Sequence, residues 1–202
     1  MKKTLLIKFA ELISIIFNPF ALGLAILVMA IVKSKMPQVE QLVWIITVTV
    51  LNGAVLALIY WIFINAGYIF DDSVQNKKIL HGRLVLLTLL LVLVTIELLV
   101  LVSTSAYQPL LAVYIGGVLT LVLGLLITNF WKISWHSTMI TFFTGMFVFM
   151  YNYRAWPLVL VFITVIWSRI LLKRHTIWQL TAGVLLSIIV IIAVFGYFGL
   201  FK

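Results

Sequence analysis

Long apolar runs separated by short polar segments form the pattern of this chain. The runs cover about residues 12–32, 42–69, 84–102, 110–127, 137–153, 156–172 and 178–200. Each run reaches the ~17–25 residues that a helix needs to cross a hydrocarbon core. The pattern therefore predicts an all-α polytopic transmembrane helical bundle with about seven crossings, or six if one run does not cross. Residues 1–202 are predicted to form a single transmembrane domain.

Two of the runs carry their own structural signal. The first contains Asn18-Pro19, and a proline inside a helix predicts a kink or a break at that point. The second, over residues 42–69, is longer than one bilayer thickness, so we expect its helix to tilt or to protrude.

The composition excludes a soluble domain. Hydrophobic residues make up 65% of the chain and charged residues only 9%, against roughly 25% charged residues in soluble domains. The chain has no cysteine, which excludes disulfides and thiolate metal sites. The net charge of +9 does not indicate nucleic-acid binding, because the basic residues cluster at the ends of apolar runs, where they face headgroups or determine topology.

Three polar segments follow the second, fourth and sixth runs, at residues 71–83, 132–136 and 169–179. With seven crossings, all three segments are predicted to meet on one side of the membrane. Most of the Lys and Arg residues also fall on that side, which predicts that it is cytoplasmic. We expect an integral protein of a prokaryotic plasma membrane.

The residue types in these segments point to phosphate chemistry. His136 and His175 lie among several cations with few acids nearby, and such a cluster favours an anionic ligand such as phosphate. Histidine can act as nucleophile or general acid near neutral pH. Together they suggest phosphoryl transfer through a phosphohistidine without a metal or other cofactor, although Asp71 and Asp72 keep metal-dependent chemistry open as an alternative.

Spacing adds geometric predictions. His175 and Gln179 are four residues apart, so on a helix Gln179 can hold one nitrogen of the His175 ring. Arg169 and His175 are six apart and need a break between the sixth and seventh runs to converge. His136 begins an apolar run, where the free N–H groups and the positive end of a helix dipole would help bind phosphate.

These residues resemble three motifs of the type-2 phosphatidic acid phosphatase superfamily. Ser168-Arg169, five residues and then His175 match its SRxxxxxH motif. Ser134-Trp135-His136 is similar to the family's PSGH motif, with Ile133 for Pro and Trp135 for Gly. The segment with Lys77, Lys78 and Arg83 looks like a shortened KxxxxxxRP motif without its Pro. The resemblance covers about half of the chain, within a phosphatase-like core at about residues 70–200.

The resemblance implies hydrolysis of a lipid phosphate or diphosphate monoester, of the phosphatidate or polyprenyl phosphate type. His175 would attack phosphorus and His136 would protonate the leaving lipid alcohol. Water would then hydrolyse the phosphohistidine. The phosphate oxygens would be held by Arg169, Ser134, Arg83 and Lys77 or Lys78.

Other functions stay open. Gln179 stands where the family has Asp, and Trp135 replaces a small residue, which is compatible with a non-catalytic relative that binds phospholipid headgroups. Asp71-Asp72 is compatible with a membrane prenyltransferase, although the paired DxxxD motifs of such enzymes are missing. The topology alone also allows a transporter. Glu97 lies inside the third run, where an ionisable residue suggests a function unless it pairs with a basic residue.

Overall fold

The computed structural model describes residues 4–68, 77–104, 107–151 and 156–200, except for the side chains of residues 77–79 and 151. The described residues form helices and short connections, so the predicted all-α bundle is confirmed. In chain order the helices are α1 (Leu5–Ile16), α2 (Pro19–Lys33), α3 (Gln38–Val48), a π-helical stretch (Thr49–Val55), α4 (Leu56–Asn65), α5 (Lys77–Thr104), α6 (Leu110–Phe130), α7 (Trp135–Tyr151), α8 (Pro157–Leu171) and α9 (Ile177–Tyr197).

The break between α1 and α2 has a local cause. The Asn18 side chain accepts a hydrogen bond from the Ala21 backbone N–H at 2.8 Å, which caps α2. Pro19 occupies the first turn of α2, where the N–H that it lacks would have no helical partner. The two helices are bent by 42° at this point, so the kink predicted at Asn18-Pro19 is confirmed.

Among the described residues, four segments are long and apolar enough to cross a membrane: Gln38–Asn65, Leu80–Thr104, Leu110–Phe130 and Ile177–Tyr197. The bent pair of α1 and α2 makes a fifth if it counts as one span. The sixth predicted crossing corresponds to α8, whose 15 residues extend only about 22 Å at 1.5 Å per residue. The fifth corresponds to α7, which has 17 residues and packs against α2, α8 and α9.

A close approach between α7 and α9 depends on Gly183. A Cβ at Gly183 would overlap the Ser137 hydroxyl and lie 2.8 Å from the Ser134 carbonyl oxygen. One turn further along α9, the buried Ser187 hydroxyl donates to the Thr138 carbonyl oxygen at 2.7 Å. Small residues thus let two backbones approach closely and exchange a hydrogen bond, as is common between membrane helices.

Gly183→Ala is expected to destabilise the protein by about 1–3 kcal/mol, because the added methyl group meets atoms of α7 that are themselves packed. The measurement is the thermal unfolding midpoint in detergent. Gly23→Ala is the matched control, since its Cβ would lie 3.5 Å from the Met139 methyl group, an ordinary contact. Equal midpoints for the two variants would contradict the close packing at Gly183.

Candidate active site

The ends of three helices meet at one end of the bundle. The chain reverses between α8 and α9 through Lys173, whose φ of 54° is in the left-handed region. The turn is closed by the Arg174 backbone N–H, which donates to the Arg169 carbonyl oxygen at 3.1 Å. Lys132, just before α7, donates from Nζ to the Arg174 carbonyl oxygen at 3.2 Å. The break predicted between the sixth and seventh runs is therefore present, and it lies beside the start of α7.

A cavity of about 250 Å³ opens from these helix ends into the bundle. Arg83 of α5, His136 of α7 and His175 of the α8–α9 turn all line it. Each of the three polar segments thus contributes a basic or histidine side chain to the same cavity. The rest of its wall is mostly apolar and comes from α2, the π-helical stretch, α4, α5, α6 and α7.

The His175 ring is held by Gln179. Nδ1 of His175 lies 3.2 Å from Oε1 of Gln179, the contact that their spacing predicts. The same oxygen accepts the Thr176 backbone N–H at 3.1 Å, so it acts as an acceptor. Because a carbonyl oxygen cannot donate, Nδ1 of His175 carries the proton in this contact. In the neutral ring the lone pair is then on Nε2, which gives a nucleophile with a defined tautomer.

Gln179 has a second role in the backbone. Thr176 caps α9 by accepting the Gln179 backbone N–H at 3.4 Å, and the Gln179 side chain reaches back to Thr176, forming a capping box. The Gln179 carbonyl oxygen also accepts the Ser134 backbone N–H at 3.3 Å. The residue that orients His175 therefore also links the start of α9 to the start of α7.

Ser14 of α1 joins His136 to Arg169. Its carbonyl oxygen lies 3.3 Å from Nε2 of His136, and its hydroxyl accepts Nη1 of Arg169 at 2.9 Å. Arg169 is 3% exposed and does not line the cavity, but it shares Ser14 as a partner with His136. The sequence reasoning missed Ser14, although a hydroxyl residue inside the apolar first run was the available signal.

Ser134 is fully buried and does not line the cavity. Its hydroxyl accepts the Ser137 backbone N–H at 3.4 Å, one turn into α7. Its carbonyl oxygen accepts the hydroxyls of Ser137 and Thr138 at 2.9 and 3.0 Å. These contacts stabilise the first turn of α7, which carries His136.

Trp135 belongs to the cavity wall. Its ring lies against α6 at Gly124, where a Cβ would overlap the ring atoms. Gly124 thus provides the space for the large residue that stands where the family motif has glycine. The indole directs its bulk toward α6, while the next residue, His136, faces the same cavity.

Other predicted site residues are only partly described. Lys77 and Lys78 belong to the first turn of α5, whose described backbone leads to Arg83, while their side chains lie outside the described residues. Asp71 and Asp72 also lie outside them. Arg83 is the member of the first segment whose side chain is placed at the cavity.

Comparisons of the chain with protein-family models, with curated proteins and with solved structures found no match. The resemblance to the phosphatase superfamily therefore depends on the residues of the three segments.

Proposed function

We propose that this chain hydrolyses a lipid phosphate or diphosphate monoester through a phosphohistidine on His175. The observation that carries the proposal is the cavity shared by Arg83, His136 and His175, one residue from each polar segment. Its charged mouth suits a phosphate, and its apolar wall suits a lipid tail. A soluble phosphate ester would not need such a wall.

The tautomer of His175 that Gln179 favours supports a two-step reaction. Nε2 of His175 attacks phosphorus, a P–N bond forms and the ester P–O bond breaks. The leaving lipid alkoxide takes a proton from His136, which acts as the general acid. Water then attacks phosphorus and gives a proton to the now neutral His136, the P–N bond breaks, Nε2 of His175 regains its lone pair and inorganic phosphate leaves. The amide oxygen of Gln179 holds Nδ1–H of His175 during both steps.

Two arginines are proposed to stabilise the phosphate. Arg83 lines the cavity and supplies charge directly, whereas Arg169 adjoins His136 across Ser14. Lys77 or Lys78 remains a proposed addition at the first turn of α5. For Ser134 we propose an indirect contribution, since its hydroxyl already caps α7.

The experiment is phosphate release by the protein purified in detergent, offered phosphatidate, polyprenyl phosphates and their diphosphates with excess EDTA. We expect metal-independent release that is absent in His175→Ala. Activity that disappears with the chelator and returns with Mg²⁺ would instead favour the prenyltransferase alternative, which relies on Asp71 and Asp72.

A non-catalytic phospholipid-binding relative is the second candidate, and the uncharged Gln179 favours it. In serine proteases, loss of the carboxylate that orients the catalytic histidine costs about 10⁴ in turnover. A chain with an amide at this position can retain the phosphate site while the nucleophile becomes ineffective.

Gln179→Glu tests both candidates, because it keeps the side-chain length and adds the missing charge. If the protein is a slow phosphatase, we expect turnover to rise by about tenfold or more, up to the ~10⁴ that such a carboxylate can supply. Gln179→Leu should lower turnover, since the ring loses its tether. Thr176→Ala is the control, because it weakens the cap of α9 but keeps the Gln179–His175 contact.

Three outcomes decide between the candidates. If wild type is inert and Gln179→Glu alone releases phosphate, the wild-type chain is the non-catalytic relative. If neither Gln179 variant changes the rate of an active wild type, His175 does not act through Gln179. If Gln179→Glu, Gln179→Leu and Thr176→Ala all lose activity equally, the loss comes from disruption of the α9 cap and not from a change at His175.

We also propose, from the Lys and Arg distribution, that the site faces the cytoplasm of a prokaryotic cell. Lys173, an exposed residue of the α8–α9 turn, provides the test. A Lys173→Cys variant in sealed inside-out vesicles should react with an impermeant thiol reagent. Reaction only in right-side-out vesicles would place the site on the other face.

A further inference from the structure

A buried polar cluster lies between α5, α6 and the π-helical stretch. Asn52 donates from Nδ2 to both carboxylate oxygens of Glu97, at 2.8 and 3.0 Å. The Tyr114 hydroxyl donates to the same carboxylate at 3.3 Å. All three side chains are at most 6% exposed. The partners of Glu97 among the described residues are thus neutral donors, not the basic residue that the sequence left open.

The cluster lies on the wall of the cavity that holds the histidines. Asn52 and Tyr114 line that cavity, and Glu97 lies behind them. Along α5 the positions that line it are Arg83, Leu86, Leu87, Leu90 and Val94. The steps from residue 83 to 87, 90, 94 and 97 are four and three residues in turn, so these positions form one stripe on the helix.

The stripe on α5 provides a length scale for a tail that lies along this helix. Glu97 lies fourteen positions after Arg83, an axial rise of roughly 21 Å. Between these two positions the residues of α5 that line the cavity are leucines and a valine. A tail that runs along α5 from a phosphate at Arg83 passes these apolar side chains before it reaches Asn52 and Tyr114, the partners of Glu97.

Beyond the polar cluster the bundle is closed. Leu101, one turn past Glu97, and Leu110 of α6 are completely buried and belong to the main core. Tyr114 is also completely buried. The π-helical stretch, a wide turn that often marks functional positions, carries Asn52 into this region.

We propose that Asn52, Glu97 and Tyr114 form a polar floor that limits the length of the lipid tail in the cavity. The proposal rests on the proposed function, because it assumes that a phosphate occupies the histidine end. A tail that extends past the apolar residues of α5 must press its methylenes against the amide and the phenol. It would then displace the hydrogen-bond partners of the buried Glu97 carboxyl group, which is costly because buried polar atoms would be left unsatisfied.

The test uses alkyl phosphates and the matching non-hydrolysable alkyl phosphonates. Their extended tails range from half to twice the roughly 21 Å axial distance between Arg83 and Glu97. We expect kcat/KM for the phosphates and affinity for the phosphonates to rise with tail length up to a limit. Past the limit both should fall by about tenfold, the equivalent of one buried hydrogen bond. Detergent is replaced by nanodiscs of fixed lipid composition, so that micelle partitioning does not impose its own length dependence.

Tyr114→Ala should move the limit to longer tails, because it removes the side chain that closes the cavity beside Glu97. Asn52→Ala also removes a side chain of the polar floor, and it replaces Tyr114→Ala in the experiment if that variant does not fold. Tyr197→Ala is the matched control, since Tyr197 is 85% exposed near the end of α9. It should leave the limit where wild type has it.

The outcomes separate this proposal from the proposed function. A length limit in phosphonate binding without any phosphate release would refute the phosphatase while supporting the floor. Phosphate release with no length limit would refute the floor alone. The floor is also refuted if the limit stays in place in a folded Tyr114→Ala or Asn52→Ala protein, or if Tyr197→Ala moves it equally.

Discussion

His175→Ala is expected to reduce lipid phosphate hydrolysis by a factor on the order of 10⁶, the loss seen when a covalent nucleophile is removed from a hydrolase. The reason is that Nε2 of His175 forms the bond to phosphorus in the proposed reaction, while Gln179 holds Nδ1 of this cavity-lining ring. The measurement is single-turnover phosphate release from a phosphatidate or polyprenyl phosphate that the wild type accepts.

The fold should tolerate this change. His175 is partly exposed in the turn before α9, and its bond to Gln179 contributes about 1 kcal/mol, as hydrogen bonds of this kind do. The thermal unfolding midpoint of His175→Ala should therefore stay close to that of wild type. Residual hydrolysis within tenfold of wild type, in a protein with that midpoint, would rule out His175 as the nucleophile.

His136→Ala is expected to reduce turnover by about 10²–10⁴ with a lipid alcohol as leaving group, the range for loss of a general acid. The defect should be much smaller with nitrophenyl phosphate, because nitrophenolate leaves without needing a proton. His175→Ala should show no such rescue. The measurement is the ratio of the two rates for each variant.

Ser14→Ala is a control that removes the contact with Arg169 but keeps the backbone carbonyl oxygen that faces the His136 ring. The Ser14 hydroxyl binds Arg169, while its carbonyl oxygen faces Nε2 of His136. Ser14→Ala should therefore weaken the Arg169 contact and lower turnover equally for both leaving groups. If His136→Ala also lowers turnover equally for both leaving groups, His136 binds the phosphate or stabilises the fold and does not donate the proton.

Local signals along the chain predicted much of this structure. The proline of Asn18-Pro19 accounts for the break between α1 and α2, since a proline there cannot continue the helix but can begin one. The four-residue spacing of His175 and Gln179 predicted their contact, because both residues lie within the first turn of α9 or next to it. Such features depend on neighbours in sequence.

Features that depend on distant packing could not be predicted. Ser14 meets His136 and Arg169 across more than a hundred residues, and no periodicity in the first run marks that meeting. Trp135 departs from the motif that its segment resembles, and the sequence does not show that its ring packs at Gly124 of α6. The neutral partners of Glu97 were equally hidden, because Asn52 lies in a π-helical turn that apolar periodicity does not reveal.

The position of Arg169 is the clearest example of a motif whose geometry the sequence leaves open. Its spacing from His175 predicted convergence, and the turn through Lys173 brings both to the same end of the bundle. Yet the Arg169 side chain is directed to Ser14 and does not line the cavity, whereas Arg83, from the least regular of the three segments, does. Spacing predicted proximity but not which cation faces the ligand.

The most direct test of the proposed chemistry is isolation of the covalent intermediate. Wild-type protein is mixed with lipid phosphate labelled at phosphorus, quenched with base within one turnover and digested. We predict an acid-labile, base-stable label on the peptide that contains His175, absent from His175→Ala and retained, at a slower rate of formation, in His136→Ala. Phosphate release without any labelled peptide, or a label on a residue other than His175, would contradict the proposed mechanism.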